Sequence, residues 1–451
     1  MKKRWIILFS VLLLISILGL FSTEPSDFFK LGEGVNTANV AWMITATIFV
    51  LMMTPGLSFF YGGMVRTKNV ISTMLQSFIA MGIISVIWVF FGFSLAFGSD
   101  LGHFVGNPTT FFMFKGVGGG IDDDLSQALG LTIPLALYAL FQMKFAIITP
   151  SLITGSFAER VRFSGYMVFM ILFCIFVYCP LAHWTWHPDG FLNIMHVKDF
   201  AGGIVVHASS GVAALAGAMF LGKRKEQGKH TPANVPFVLL GAAMLWLGWF
   251  GFNAGSALAA DGMAIKAFLN TNTASATAMI CWILFDCLRG RKPSAMGAAI
   301  GAVVGLVAIT PSAGWVTVGE SIFIAFVTTI ICNLAVSWKN SQSSLDDALD
   351  VFPTHGVGGI VGTIMTGIFV YDAESGITHF QSFINHILAV IIVFGYTFIV
   401  TYALYWLTNK MIPMRVSEKS EKIGLDMSQH DEHYGIDSGE RELAEYSENK
   451  H

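Results

Sequence analysis

Asp199-Phe-Ala-Gly-Gly-Ile-Val-Val-His207-Ala-Ser-Ser-Gly211 opens one long apolar segment of this chain, and Asp347-Ala-Leu-Asp350-Val-Phe-Pro-Thr-His355-Gly-Val-Gly-Gly359 opens another. Both read Asp-x7-His-x3-Gly. Each His lies eight residues beyond its Asp, which is about 12 Å along a helix. If one segment enters a membrane from outside and the other from inside, both histidines reach similar depth near the middle of a ~30 Å hydrocarbon core. Three fixed positions are a thin basis for a repeat, so the reading depends on what surrounds them.

The surroundings are those of a membrane protein. Of 451 residues, 54% are hydrophobic and 12% charged, about half the charged fraction of an ordinary soluble domain. The 46 glycines suit helices that pack closely in lipid. A net charge of −3 without a basic patch gives nucleic acid nothing to bind. Cys174, Cys179, Cys281, Cys287 and Cys332 all sit in apolar runs without CxxC spacing. They read as small core residues rather than disulfides or metal ligands.

Apolar segments of spanning length number eleven. They are Val40–Tyr61, Val70–Phe97, Leu131–Phe157, Ser164–Leu181, Gly202–Leu221, Val235–Leu258, Phe268–Leu288, Ala295–Ile309, Glu320–Trp338, Phe352–Phe369 and Ile387–Leu407. Lys2, Lys3 and Arg4 precede a separate apolar run, Trp5 to Phe21, in the order of a signal peptide. Residues 1–22 are read as that peptide, with a retained signal anchor as the alternative. Residues 23–39 form an extracytoplasmic lead-in, 40–410 the transmembrane domain and 411–451 a cytoplasmic tail. Odd-numbered gaps and the tail entrance carry fourteen Lys or Arg, among them Arg66, Lys68, Arg160, Arg224, Lys339 and Arg415. The other side carries four: Lys30, Lys115, Lys198 and Lys266. The bias puts the mature N-terminus outside and the C-terminus inside. The expected fold is all-α, with two inverted five-helix repeats and one extra helix, and inverted repeats put substrate sites near the midplane.

Ionisable groups at that depth line pathways and pair with one another, which favours a pore role for His207 and His355. The bland alternative is that each hydrogen-bonds a backbone carbonyl as packing glue. A metal or haem centre lacks further ligands at suitable spacing, since His183, His187 and His196 fall near the outer surface. No metal and no cofactor are expected. Asp199 reads as the N-cap of its span, and Asp350, three residues ahead of Pro353, as the start of the other.

Phe59-Phe-Tyr-Gly-Gly-Met-Val-Arg-Thr-Lys-Asn69, Gly155-Ser-Phe-Ala-Glu-Arg160, the two His motifs, Gly248-Trp-Phe-Gly-Phe-Asn-Ala-Gly-Ser256 and Gly424-Leu425-Asp426 together resemble the ammonium transporter (Amt) family. The resemblance runs from about residue 40 to 430. It implies an eleven-helix fold, a homotrimer with one pore per subunit, ammonium as substrate, and no enzyme activity. It implies that Trp186, Ser256 and Phe141 form an outer recruitment site, that Phe145 and Phe252 form a gate, and that His207 and His355 are the twin histidines of the pore. Trp249 would stand beside the pore. Through Gly424, Leu425, Asp426 and His430 it implies a tail that docks on the cytoplasmic face and meets a PII-type signal protein. Residues after Tyr434 read as a solvated tail.

The spacing is compatible with that set. Phe141 and Phe145 share a helix face, as do Trp249, Phe252 and Ser256, and aromatic faces attract a desolvated cation by roughly 2 kcal/mol or more. A bare charge below the rings is expensive, so proton release before or at the gate and passage of neutral ammonia past the imidazoles is the expected course. Lys144 departs from the family, which commonly has small or apolar residues there, and its place one step off the Phe face keeps it out of the lumen. Two further classes stay open: an ammonium sensor that barely conducts, and a Rhesus-type gas channel, against which Trp186 argues. The expected location is the inner or plasma membrane.

Overall fold

The computed structural model describes residues 2–21, 30–226, 231–342, 344–371 and 375–435. The chain is built of helices: α1 Lys2–Gly19, α2 Thr37–Met64, α3 Thr67–Phe97, α4 Leu135–Phe157, α5 Phe163–Ile194, α6 Gly203–Leu221, α7 Val235–Ala254, α8 Gly262–Leu288, α9 Ala295–Ile309, α10 Val318–Ser341, α11 Val357–Phe369, α12 His379–Met411 and α13 Glu418–Ile423. A two-residue ladder, Asp100–Leu101 against Val105–Gly106, interrupts the loop after α3. The expected cleavage point near Ser22 and the far tail beyond residue 435 lie outside the described residues.

Among the described residues eight helices are long and apolar enough to cross a membrane: α2 to α7, α10 and α12. The remaining segments expected to span fall short for visible reasons. α8 has the length, but Asn270, Thr271, Asn272, Thr273 and Asp286 dilute its apolar character. α9 has 15 residues, about 22 Å of helix. α11 begins only after a separate π turn, Phe352–Gly356.

Helix limits follow local chemistry more closely than apolar runs do. Thr378 caps α12 by accepting the Gln381 amide, nine residues before Ile387, where the apolar run was expected to begin. Thr317 and Glu320 form a reciprocal capping box at the start of α10. Asp261 caps α8 ahead of Phe268 by accepting the Ala264 amide.

α4 and α6 are buried almost throughout and form the centre of the bundle, whereas α12 is largely exposed on the perimeter. α2 packs along α7, and α8 lies against α9 and α10. The two His-bearing segments cross at the middle. The π turn Gly203–Ala208, which begins α6, packs on α11, and the π turn ahead of α11 packs on α6. The crossing is close because the Gly of each motif faces the other. A Cβ on Gly211 would lie 2.0 Å from the Gly356 nitrogen, and one on Gly359 would lie 2.7 Å from the Ala208 nitrogen. Each glycine therefore makes room for the residue that follows the opposite histidine.

Candidate functional site

The crossing is set by its two ends. Asp199 is buried, and its carboxylate accepts four backbone amides: Oδ1 takes Gly202 and Gly203 at 2.9 and 2.6 Å, and Oδ2 takes Ile204 and Val205 at 2.8 and 3.3 Å. Those are the orphan amides of a helix start, and Gly202 supplies the left-handed turn into it at φ 111°. At the other segment Asp347, not Asp350, does the equivalent work. Its Oδ2 accepts the Phe352 amide at 2.7 Å, five residues on, as Asp199 Oδ2 accepts Ile204. Asp350 has a φ of 58° and turns its carboxylate to Lys339 Nζ at 2.6 Å. Asp350 does stand where the span starts, directly before the first helical residue Val351 and with its carbonyl accepting the Thr354 amide at 3.1 Å, but its carboxylate is committed to Lys339 and the side-chain cap comes from Asp347.

The caps fix the helices, and the helices bring the imidazoles together. His207 Nδ1 and His355 Nδ1 are 3.3 Å apart, with ring centroids at 5.4 Å. Both rings are buried. Two facing Nδ1 atoms share one hydrogen, so one ring donates while the other accepts. His207 also stacks on Trp249 at 5.1 Å and 17°. Trp249 is held in turn by its indole N–H, which donates to Thr310 Oγ1 at 2.9 Å. His207 Nε2 is buried without a hydrogen-bond partner among the described residues. A cavity of about 10 Å³ lies against both histidines, Trp249, Phe252 and Leu57, room for roughly one water-sized molecule.

Above this lumen Phe145 and Phe252 stack at 4.2 Å and 23°. Both rings are buried, and the pair separates the lumen from an outer cavity of about 160 Å³. That vestibule is walled by Phe141, Phe145, Trp186, Phe200 and Ser256. Phe141 meets Phe145 edge-on at 4.9 Å, and Trp186 meets Phe145 edge-on at 5.9 Å. The Trp186 indole donates to the Asp199 carbonyl at 3.0 Å, which ties the vestibule wall to the cap of α6. Ser256 lies in the turn just past α7, because the π turn Phe250–Ala254 uses up the last helical residues. Its hydroxyl donates to the Phe252 carbonyl at 2.8 Å, leaving the oxygen lone pairs free to accept.

The seven residues expected at the pore fall around two neighbouring cavities: Phe141, Trp186, Ser256 and Phe145 at the larger, and Phe252, His207 and His355 at the smaller. Lys144 lines neither cavity; its ammonium lies 3.6 Å from Met143 Sδ. Sequence reasoning missed Tyr138 and Gln142, which also wall the vestibule and are joined by a 3.3 Å hydrogen bond. They sit one turn apart on the Phe141 helix, so a helical wheel carried the signal.

The tail residues form their own site against the start of α3. Asp426 accepts the Ile71 and Ser72 amides at 3.0 and 2.7 Å, at the start of a helix whose own cap residue, Asn69, makes no side-chain cap. Asn69 instead accepts the Leu425 amide at 2.8 Å. Gly424 has a φ of 108°, and a Cβ there would lie 2.6 Å from the Lys68 carbonyl oxygen. His430 Nε2 lies 3.1 Å from Ser72 Oγ.

A helical bundle with several membrane-spanning helices, in which a stacked Phe pair lies between an aromatic cavity and a small cavity beside two histidines, defines the class as a multi-pass membrane protein. The chain belongs to the Ammonium Transporter Family, whose model matches residues 41–434. A putative ammonium transporter of Methanothermobacter thermautotrophicus is 44% identical over 88% of this chain and 98% of its own. Among solved structures, Saccharomyces cerevisiae Mep2 is similar with a TM-score of 0.78 and 34% identity over 86% of this chain and 89% of that one. A structure described as a sensor Amt protein is similar with a TM-score of 0.79 and 29% identity, covering 87% of this chain and 98% of that one.

Proposed function

We propose that the protein takes up ammonium across the cell membrane through the vestibule, gate and twin-histidine lumen. The observation that carries this is the stacked Phe145–Phe252 pair between an aromatic cavity and a lumen holding two imidazoles in contact, in a member of this family. Ammonium is recruited by the π faces of Phe141, Phe145 and Trp186, with Ser256 accepting one of its hydrogens. It gives up a proton at or above the gate, because a bare charge is not tolerated in so small an apolar lumen. Ammonia then passes the imidazoles, which offer a donor and an acceptor, and the proton crosses separately.

The reading includes the architecture. α8, α9 and the segment 352–369 count with the eight long helices as eleven spans, arranged as two inverted sets of five plus α12, N-terminus outside and C-terminus inside. The reciprocal packing of Gly211 and Gly359 supports the inverted relation. Residues 1–22 serve as a signal peptide, three copies assemble into a homotrimer, and the docked tail is the contact for a PII-type signal protein. A sensor with little conduction is favoured only by the likeness to the sensor Amt structure, at 29% identity, below the 44% of the transporter relative.

Proteoliposomes given ammonium pulses test the reading, with uptake and current recorded together. Ammonium accumulation that Ser256→Ala and Phe141→Ala reduce is expected. A folded parent protein that neither accumulates ammonium nor carries current would overturn it in favour of the sensor.

A further inference from the structure

We propose that Asp347 is the group through which the cytoplasmic end of the pore exchanges protons with the cytosol. The inference rests on the pore reading above and on an asymmetry between the two halves. Asp199 and Asp347 hold the same place in their motifs, yet their carboxylates are satisfied differently. Both Asp199 oxygens are filled by amides. Asp347 is fully buried, and while its Oδ2 accepts the Phe352 amide and the Val351 amide also favours the carboxylate, its Oδ1 is buried with no hydrogen-bond partner among the described residues. A half-satisfied carboxylate out of water is costly when ionised, and a proton on Oδ1 removes that cost.

The charges around Asp347 are committed elsewhere. Lys339, from α10, gives its ammonium to the Asp347 backbone carbonyl at 3.0 Å and to Asp350 Oδ1 at 2.6 Å, not to the Asp347 carboxylate. Arg160 donates to the carbonyls of Ser156 and Asp346. Asp346 is paired with Arg224 at 2.9 Å. Tyr61, from α2, is near enough to feel the Asp347 charge, and its hydroxyl donates to the Leu152 carbonyl at 3.0 Å. The balance leaves Asp347 able to titrate: burial pushes its carboxyl up to about 6, with Asp350 adding to the rise and Lys339 opposing it. Asp199 is anchored as a cap, whereas Asp347 has an oxygen to spare.

Its position fits the role. Gly155 lies against both the Tyr61 ring and the Val351 side chain, so the wall made by these residues is where the Asp347 loop meets the pore helices. Phe60, next to Tyr61, and Leu152, which accepts the Tyr61 hydroxyl, both line the lumen with His355. The chemistry is one proton moved. A protonated imidazole or a protonated water at the inner end breaks an N–H or O–H bond, and an O–H bond forms at Asp347 Oδ1. The neutral acid then passes the same proton to cytosolic water and is a carboxylate again.

Asp347→Asn tests this, because its amide oxygen can still accept the Phe352 amide but cannot take up and release a proton. Ammonium-evoked current is measured in proteoliposomes at inner pH from 5.5 to 8. The parent current should depend on inner pH, and the folded variant should lose roughly tenfold or more and show no such dependence. Asp347→Glu, still ionisable, should restore the dependence with a displaced midpoint. A folded Asp347→Asn with parental current at every inner pH overturns the proposal, as does a parent that accumulates ammonium without current. Should Asp347→Asn fail to fold, a Glu variant with an undisplaced midpoint overturns it equally. A parent with neither uptake nor current removes the pore reading first, which distinguishes the two failures.

Discussion

Replacing Asp426 with Ala should release the tail from the membrane domain by a calculable amount. Asp426 caps a helix from a distant part of the chain, more than 350 residues later in sequence, through two amide contacts at 2.7 and 3.0 Å. Loss of a helix N-cap costs about 0.5–2 kcal/mol, and the carboxylate's interaction with the helix dipole is part of that figure rather than an addition to it. The tail keeps other anchors: the Leu425 amide on Asn69 Oδ1 at 2.8 Å, Lys68 Nζ on the Lys422 carbonyl at 2.6 Å, the Arg415–Glu421 pair at 2.8 Å, and Gln429 Oε1 on the Phe163 amide at 2.8 Å. The tail therefore stays docked on average, but a loss of 1–2 kcal/mol raises the undocked fraction roughly 5- to 30-fold.

Amide hydrogen exchange reads this at Ile71 and Ser72, whose protection by Asp426 should fall by that factor. Asp426→Asn keeps one acceptor oxygen and should fall between the parent and Asp426→Ala. Acidification should act in the same direction. Burial holds the His430 imidazole below its ordinary value, against a smaller upward pull from Glu432. A lowered histidine favours docking fully above its undocked value of about 6.5 and withdraws that support as pH falls below it. A chain ending after Met414 should escape inhibition by a PII partner or lose coupling between subunits. Unchanged exchange at Ile71 and Ser72 in a folded Asp426→Ala protein would refute the cap, and a truncated protein with normal flux and partner binding would refute the regulatory role.

Other perturbations address the pore and its scaffold. Phe252→Ala should join the 160 Å³ vestibule to the 10 Å³ lumen and relax discrimination against potassium, at a stability cost near the lower end of the 3–5 kcal/mol for core Phe→Ala. Unchanged uptake and selectivity would remove the gate assignment. His207→Asp should fold as the parent does yet leak potassium with ammonium, because a carboxylate beside His355 can balance a permeating cation. Currents as selective as the parent's would count against proton handling by the pair. Gly211→Ala should abolish folding or uptake, since its Cβ would lie 2.0 Å from backbone, whereas Gly82→Ala on α3 meets open space and should change stability by no more than about 1 kcal/mol. Equal melting temperatures for the two would show that the crossing is not close.

How far the sequence reached depended on the kind of signal. The long apolar helices were legible because apolar runs of spanning length have few other uses, and the aromatic spacing of Phe141 and Phe145 was legible because they share a regular helix. Irregular backbone hid the rest. Ser256 was read as a further turn of α7, but the π turn at Phe250–Ala254 ends the helix first. Asp350, three residues before Pro353, was legible as the start of its span, but not that the side-chain cap comes from Asp347. The positive φ at Asp350 and the attraction of Lys339, eleven residues earlier, are both tertiary facts that no local spacing encodes. Tail docking was legible only as a motif. The reason for Gly424 and Asp426 lies on another helix, at Lys68 and Ser72.

The repeated Asp-x7-His-x3-Gly pattern shows why a short motif can be weak as statistics and strong as physics. Three matches in thirteen positions count for little, yet each one has a definite partner in the fold, and two of the three partners lie across the crossing. The aspartates receive amides five residues ahead, at Ile204 and Phe352. The histidines receive each other, 3.3 Å apart. The glycines receive the backbone that follows the opposite histidine. The ten intervening positions differ between the halves because nothing across the crossing constrains them in the same way. Where the halves do diverge at a fixed position, as in the spare oxygen of Asp347, packing does not account for the difference. A divergence of that kind, buried beside the crossing, is where two similar segments can acquire different chemistry.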